Sequence, residues 1–308
     1  MAGITNFNPD KDIPSLASKV IFVTGGTNGL GRESVLAFAK HSPAHIYFTG
    51  RDAKAAESLA AALAPTGVPS TFLQLDMTSL PTVKSAVARF AHDRLDILMC
   101  NAGIMAKPPG LTKDGYELQF GVNHMAHGVV IQGLLPVLLR TAAEPGSDVR
   151  VVCMTSSGWK GHPKQGIAFD QVRTPMDMLM GSWIRYGQSK LANVIYAREL
   201  AKRHPEITAV SIHPGVVETA LVTELSYIRK KVVYIGNALL ESAPVVKPEQ
   251  GCWNQVWAAA AAKKSELVNG AMYYPVGKLS NSELDKVAQD PKLAAKLWDW
   301  TNEELARI

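Results

Sequence analysis

The stretch YGQSK at residues 186–190 sets a phenol four residues ahead of an ammonium, with small residues between them. On a helix such residues lie on one face, one turn apart, so Tyr186 and Lys190 would stand side by side. A free phenol has a pKa of about 10 and is a poor proton carrier at neutral pH. A neighbouring cation favours the phenolate and lowers that pKa, which a proton relay requires. A Tyr/Lys pair on the surface of an amphipathic helix would look the same, so the reading depends on what else the chain supplies. Upstream, TSS at 155–157 closes an apolar run and offers the hydroxyls of Ser156 and Ser157. A hydroxyl set against a carbonyl oxygen would stabilise charge developing there.

A second chemical signal is TGGTNGLG at 24–31, with Gly25, Gly29 and Gly31 in a GxxxGxG spacing. Glycine admits φ > 0 and lets backbone amides approach a pyrophosphate at a positively polarised helix N-terminus. An ordinary glycine-rich turn has a similar composition. Its position between the first apolar run and the first helical pattern favours dinucleotide binding. Cofactor choice falls at the end of the second strand, where an acid suits a free ribose 2′-hydroxyl and arginine a 2′-phosphate. The chain reads Thr49-Gly50-Arg51-Asp52 there, with Arg32 directly after Gly31. Arg51 favours NADP(H) over NAD(H). Asp52, or a solvated Arg51–Asp52 ion pair, keeps the alternative open.

The elements that must position these residues alternate along the chain. KVIFVTGG (19–26), HIYFTGR (45–51), STFLQLD (70–76), LDILMCNAG (95–103), VRVVCMTSS (149–157), ITAVSIHPG (207–215) and AMYYPVGK (271–278) read as strands. Helical patterns such as GRESVLAFAKHS (31–42) lie between them. Strands that do not alternate with polar residues are buried on both faces, and spaced by helices they imply a parallel sheet. Right-handed crossovers then predict an α/β, doubly wound, mostly parallel seven-stranded sheet of Rossmann-like form. One domain is expected over 19–308, after an extension over 1–18 whose first dozen residues are open to disorder. Residues 161–177 read as a long loop. The partly helical, apolar segment 221–248 reads as a cap over the site.

Composition narrows the function classes. With 47% hydrophobic and 19% charged residues the chain suits a folded globular protein rather than a disordered one. The net charge of +5 comes from dispersed residues, apart from a cluster at Arg229, Lys230 and Lys231, so no nucleic-acid partner is expected. Cys100, Cys153 and Cys252 form no CxxC pair and read as buried free thiols, which fits a reducing, cytoplasmic setting. His124 and His127 lack a nearby third ligand and read as helix residues rather than zinc ligands. No signal-peptide pattern opens the chain, and no apolar run approaches the ~18 residues of a membrane span.

These motifs, in this order, resemble the short-chain dehydrogenase/reductase family: TGxxxGxG at 24–31, NAG at 101–103, TSS at 155–157, YGQSK at 186–190 and HPGVVET at 213–219. IAFDQV (167–172) and YGQSKLANVIYARELAKR (186–203) resemble its retinol-dehydrogenase branch, which also holds WW-domain oxidoreductases and protochlorophyllide reductases. The resemblance implies a tetrad of Asn123, Ser156, Tyr186 and Lys190, with Ser157 as the alternative serine. It implies cofactor contacts from Gly25, Thr27, Asn28, Gly29, Leu30, Gly31, Arg51, Asp76, Met77, Asn101, Ala102, Gly103, Tyr186, Lys190, Pro214, Gly215, Val217 and Thr219. The implied reaction moves a hydride between NADP(H) and a carbonyl or alcohol. The apolar residues of 221–248 suggest a bulky apolar substrate, such as a polyketide, terpenoid or steroid-like molecule, if they are not core or oligomer contacts. Reduction of a C=C or iminium bond, isomerisation, or an idle NADP-binding scaffold are the alternatives. The resemblance also implies a homodimer or homotetramer joined through the helices bearing Asn123 and Tyr186.

Overall fold

The computed structural model describes residue 3 and residues 6–218 and 245–308. Its strands are Val20–Val23 (β1), His45–Gly50 (β2), Ser70–Gln74 (β3), Ile97–Cys100 (β4), Arg150–Met154 (β5), Thr208–Ile212 (β6), Met272–Tyr274 (β7) and Lys278–Leu279 (β8). They form one sheet in the order β3-β2-β1-β4-β5-β6-β7-β8. All neighbours are parallel except β7 and β8. The sheet thus has eight strands where seven were expected. Pro275 and Gly277, the latter at φ 68°, reverse the run AMYYPVGK into a short hairpin.

The unbroken apolar character of the strands has a direct cause. Successive side chains point to opposite faces. Val20, Phe22, Leu98, Cys100, Val151 and Cys153 enter one core cluster, while Ile21, Val23, Ile97, Met99, Val152 and Met154 enter the other. Helices Leu80–Val87, Ala126–Ala142, Gly181–Arg203 and Pro291–Leu305 cover the first face. Helices Gly29–Ala39 and Ala53–Leu63 and the Trp253–Val256 turn cover the second. The chain winds outward from β1 to β3, then crosses back to β4 and winds the other way. That reversal between β1 and β4 is the topological switch point, outside whose carboxyl ends ligands bind in such sheets.

Three expectations change here. The described part of the N-terminal extension is packed, with Phe7, Ile13 and Leu16 buried and Phe7 edge-on to Trp253 at 6.2 Å. Apolar anchors, invisible as a pattern in so short a segment, hold it down. The helical run Leu118–Ala142 is long and apolar enough to cross a membrane by length and composition, yet 72% of its apolar window is buried inside the fold. It is a core helix. Finally, the helices bearing Asn123 and Tyr186 are overlaid by Pro291–Leu305. His124 Nε2 lies 3.0 Å from Thr301 Oγ1, and Tyr196 stacks on Trp298 at 4.7 Å. Self-association through that face, implied by resemblance, meets a helix of the same chain instead. Of the expected cap, 221–244 lies outside the described residues; Val246 forms a parallel bridge to Val217.

Trp298 is 4% exposed and carries the docking of that last helix. Trp298→Ala should destabilise the protein by about 3–5 kcal/mol in equilibrium urea unfolding. A loss below about 1 kcal/mol would show the helix to be peripheral.

Candidate active site

At the end of β1 the glycine turn is held by close contacts that only glycine permits. Gly25 and Gly29 have φ of 64° and 52°. A Cβ on Gly31 would lie 2.2 Å from the Gly25 carbonyl oxygen and 2.5 Å from Asn101 Nδ2. Asn28 caps the Gly29–Ala39 helix, its Oδ1 accepting from Gly29 N at 2.7 Å. Thr27 lies beneath the end of β2, where a Cβ on Gly50 would meet its Oγ1 at 2.4 Å. The bare backbone at a helix N-terminus suits a pyrophosphate, so the residues present fit a dinucleotide.

The neighbouring strand ends converge on this turn. Asn101 Nδ2 donates to the Thr24 carbonyl at 2.9 Å, and the backbone amides of Asn101 and Ala102 donate to Thr24 Oγ1 at 2.8 and 3.0 Å. Arg51 is exposed at the end of β2. Asp52 does not pair with it: its Oδ1 caps the Ala53–Leu63 helix, accepting from Lys54 N at 2.8 Å and Ala55 N at 3.3 Å. Asp76 accepts from Thr78 N and Thr78 Oγ1 and pairs with Lys113 at 2.9 Å. Burial opposes its charge, but these bonds together hold its carboxyl below the usual range. Met77 beside it is buried in the core.

The four tetrad positions come together from three segments. Asn123 sits in a π turn, Gly121–Met125, of the kind that recurs at functional sites. Its side chain is buried, accepting from Ile104 N at 2.8 Å and donating to Ile104 O and Ser189 Oγ at 2.9 Å each. A Cβ on Gly103 would lie 3.2 Å from Asn123 Oδ1 and 3.5 Å from Lys190 Nζ, so the NAG end abuts both. Tyr186 and Lys190 lie on the Gly181–Arg203 helix, 7% and 5% exposed, with Nζ 5.8 Å from the phenol ring centre. Lys190 Nζ donates to the Met154 carbonyl at 3.1 Å, at the end of β5. The Ser156 hydroxyl is close enough to the phenol to stabilise its charged form, whereas Ser157 turns its backbone N–H to His213 Nδ1 at 3.3 Å. Of the two serines, Ser156 is the one whose hydroxyl is placed beside the phenol.

The expected lowering of the phenol pKa rests on Lys190 together with the positive charge of an oxidised nicotinamide, and the chain by itself shows the opposite shift. Tyr186 is pushed up to about 12 by burial, only partly offset by Ser156. Burial likewise pushes Lys190 down to about 8, with Cys153 opposing. In the chain alone, desolvation outweighs the ammonium, which is spent on the Met154 carbonyl. Lys190 does not by itself make the phenol acidic.

Beyond β6, Gly215 has φ 85° and Pro214 precedes it half-buried. Val217 is buried where a Cβ on Gly251 would meet it at 2.5 Å and Leu30 at 2.9 Å, so this segment closes against the glycine turn. Thr219 lies outside the described residues. Several residues of the site escaped sequence reasoning. Gly158 underlies the phenol, since a Cβ there would be 2.9 Å from Tyr186 Cε1. Asn193 shares the Met154 carbonyl at 2.9 Å. Gln255 reaches Ser34 Oγ at 2.7 Å and Asn101 Oδ1 at 3.3 Å. Only the turn from Gly158 to Gly161 had a sequence signal, two glycines after the serines. Among the described residues no group of three His, Cys, Asp or Glu side chains could hold a metal ion.

The chain is similar to known proteins. The family model described as short chain dehydrogenase matches residues 19–165. The short-chain dehydrogenase/reductase drtF of Aspergillus calidoustus is 36% identical over 312 residues, covering 96% of each chain. A solved structure of an uncharacterized protein from Mycobacterium paratuberculosis superposes with a TM-score of 0.72 at 25% identity, covering 99% of this chain and 98% of that one. The Pseudomonas aeruginosa RhlG/NADP active-site complex shares the fold, with a TM-score of 0.66 at 22% identity, covering 85% of this chain and 96% of that one.

Because folded Lys190 binds its proton less tightly than the unfolded chain does, its charge opposes folding fully below about pH 8. The opposition fades as pH rises from about 8 to the ordinary 10.5. Lys190→Met should therefore stabilise the protein at pH 7 by about 1–3 kcal/mol. Melting curves across pH should show the gain shrinking above pH 8. A variant less stable than wild type at pH 7 would show that the ammonium is compensated within the fold.

Proposed function

The chain belongs to the short-chain dehydrogenase/reductase family, and from that premise we propose an NADP(H)-dependent oxidoreductase acting on the carbonyl or alcohol of a bulky apolar molecule. The observation that carries this reading is the buried Tyr186–Lys190 pair beside Ser156, Asn123 and Gly103, at the end of the sheet where the glycine turn lies. A bound nicotinamide dinucleotide supplies the hydride chemistry. Gly25, Thr27, Asn28, Gly29, Leu30 and Gly31 would hold its pyrophosphate side, Asp76 and Met77 its adenine side, and Asn101, Ala102, Gly103, Pro214, Gly215 and Val217 the walls of the cleft. Ser156 hydrogen-bonds the substrate oxygen, Tyr186 exchanges the proton with it, Lys190 binds ribose, and Asn123 fixes the turn beside them.

The NADP(H) preference is supported by Arg51 and by the engagement of Asp52 as a helix cap, which leaves its carboxylate committed to Lys54 N and Ala55 N. The apolar substrate class is supported by exposed Met178, Leu179 and Met180, in the loop that leads into the Tyr186 helix, and by the composition of 221–240. A reducing, cytoplasmic setting suits the three buried free thiols. A homodimer or homotetramer would use surfaces that Pro291–Leu305 leaves open.

Tyr186→Phe should lower turnover of an apolar ketone panel by at least ~100-fold while leaving dinucleotide binding within about twofold. Retained turnover would remove the phenol from the mechanism. Arg51→Ala should weaken NADPH by about 10-fold or more, as for loss of a charge-assisted bond, and leave NADH unaffected. Equal effects on both nucleotides would overturn the NADP(H) preference.

A further inference from the structure

We infer that His127 is a positioning residue that latches the dinucleotide-binding turn to the catalytic asparagine through Thr24. The inference rests on the proposed dinucleotide site.

His127 and Thr24 are both buried, and neither belongs to the tetrad or to the glycines. The His127 ring spans two segments of the site: its Nδ1 lies 2.8 Å from the Asn123 carbonyl oxygen and its Nε2 2.9 Å from Thr24 Oγ1. A carbonyl only accepts, so Nδ1 carries the hydrogen. Burial, reinforced by the Lys190 charge, pushes the ring down to about 4 and keeps it neutral, although the Asn123 bond pulls the other way. Nε2 is then an acceptor, and the Thr24 hydroxyl donates to it. The one competing acceptor, the Met99 carbonyl, is more distant at 3.4 Å.

This polarity has a consequence for Thr24. With its hydrogen given to His127, both oxygen lone pairs are free for the amides of Asn101 and Ala102, which they receive at 2.8 and 3.0 Å. One neutral tautomer thus sets the direction of two hydrogen bonds and leaves Thr24 Oγ1 open to two amide donors, and the four bonds together join the end of β1, the NAG end of β4 and the π turn of Asn123. In the π turn the Ala126 N–H bonds the Gly121 carbonyl, and the Asn123 carbonyl is met by the imidazole. The ring therefore connects the backbone that would face the cofactor with the backbone that carries Asn123.

The two arms can be cut separately. Glutamine places an acceptor near the Nε2 position and can keep the Thr24 arm; asparagine places a donor near the Nδ1 position and can keep the Asn123 arm. Dinucleotide affinity is read by titrating the full chain with NADPH and with NADH and following nucleotide fluorescence, and kcat is read separately with any ketone that the wild type reduces. His127→Phe should weaken the nucleotide that the wild type binds by about 10-fold, in the range of a lost buried hydrogen bond. His127→Gln should bind within about threefold of wild type with a lower kcat, and His127→Asn should keep the weak binding of the phenylalanine variant. Combined with Thr24→Val, His127→Phe should add no further loss of affinity.

Wild-type-like affinity in His127→Phe, whatever its melting temperature, overturns the inference, as does an additive loss in the double variant. If His127→Phe does not fold, equal affinities in His127→Gln and His127→Asn overturn it as well. A wild-type chain that binds neither nucleotide sinks the functional reading and this one with it. Wild-type binding that ignores His127 sinks this one alone.

Discussion

A single ammonium taken out of water organises the site. Lys190 reaches the end of β5, where the Met154 carbonyl meets its Nζ at 3.1 Å, and little solvent remains around it. An isolated buried charge is expensive unless polar groups surround it. The hydrogen-bond partner of Lys190 is a backbone carbonyl braced by an asparagine rather than a counter-ion. Asn193 braces the same carbonyl, Thr155 Oγ1 donates to the Lys190 carbonyl at 2.8 Å, and Gly103 comes close because it has no side chain.

The two ionisable groups of the pair respond to burial in opposite senses. Burial makes the phenol a weaker acid and the ammonium a stronger one. Both shifts favour the neutral forms, so the pair holds its protons differently from free side chains before any ligand arrives. A ligand that brings positive charge and fresh hydrogen bonds changes that balance. The acid–base behaviour of Tyr186 is then a property of the assembled complex.

Local spacing made some of this readable in the sequence. Tyr186 and Lys190 announce themselves because one helical turn is four residues, and Gly25, Gly29 and Gly31 because only glycine accepts those dihedrals and contacts. Strand-end residues such as Asn101 and Ser156 followed from their place after apolar runs. What stayed hidden depends on tertiary contact. Gln255 reaches the first helix from more than two hundred residues away, and Gly251 matters only because Val217 and Leu30 arrive beside it. The upward shift of Tyr186 in the chain alone was not legible because spacing shows a neighbour but not the water it has lost. The final hairpin was missed because one turn of three residues hides inside an apolar run.

The last helix joins distant parts of the chain. Glu304 accepts from the Tyr116 hydroxyl at 2.7 Å and also meets Arg173, while Thr301 and Trp298 close over His124 and Tyr196. On a ribosome these residues emerge after the helices that they cover. Until then the nascent polypeptide presents an uncovered apolar flank directly behind its own reaction centre. Sealing of that flank thus waits for Pro291–Leu305, and a product truncated ahead of that helix carries a sticky surface that quality-control factors can recognise.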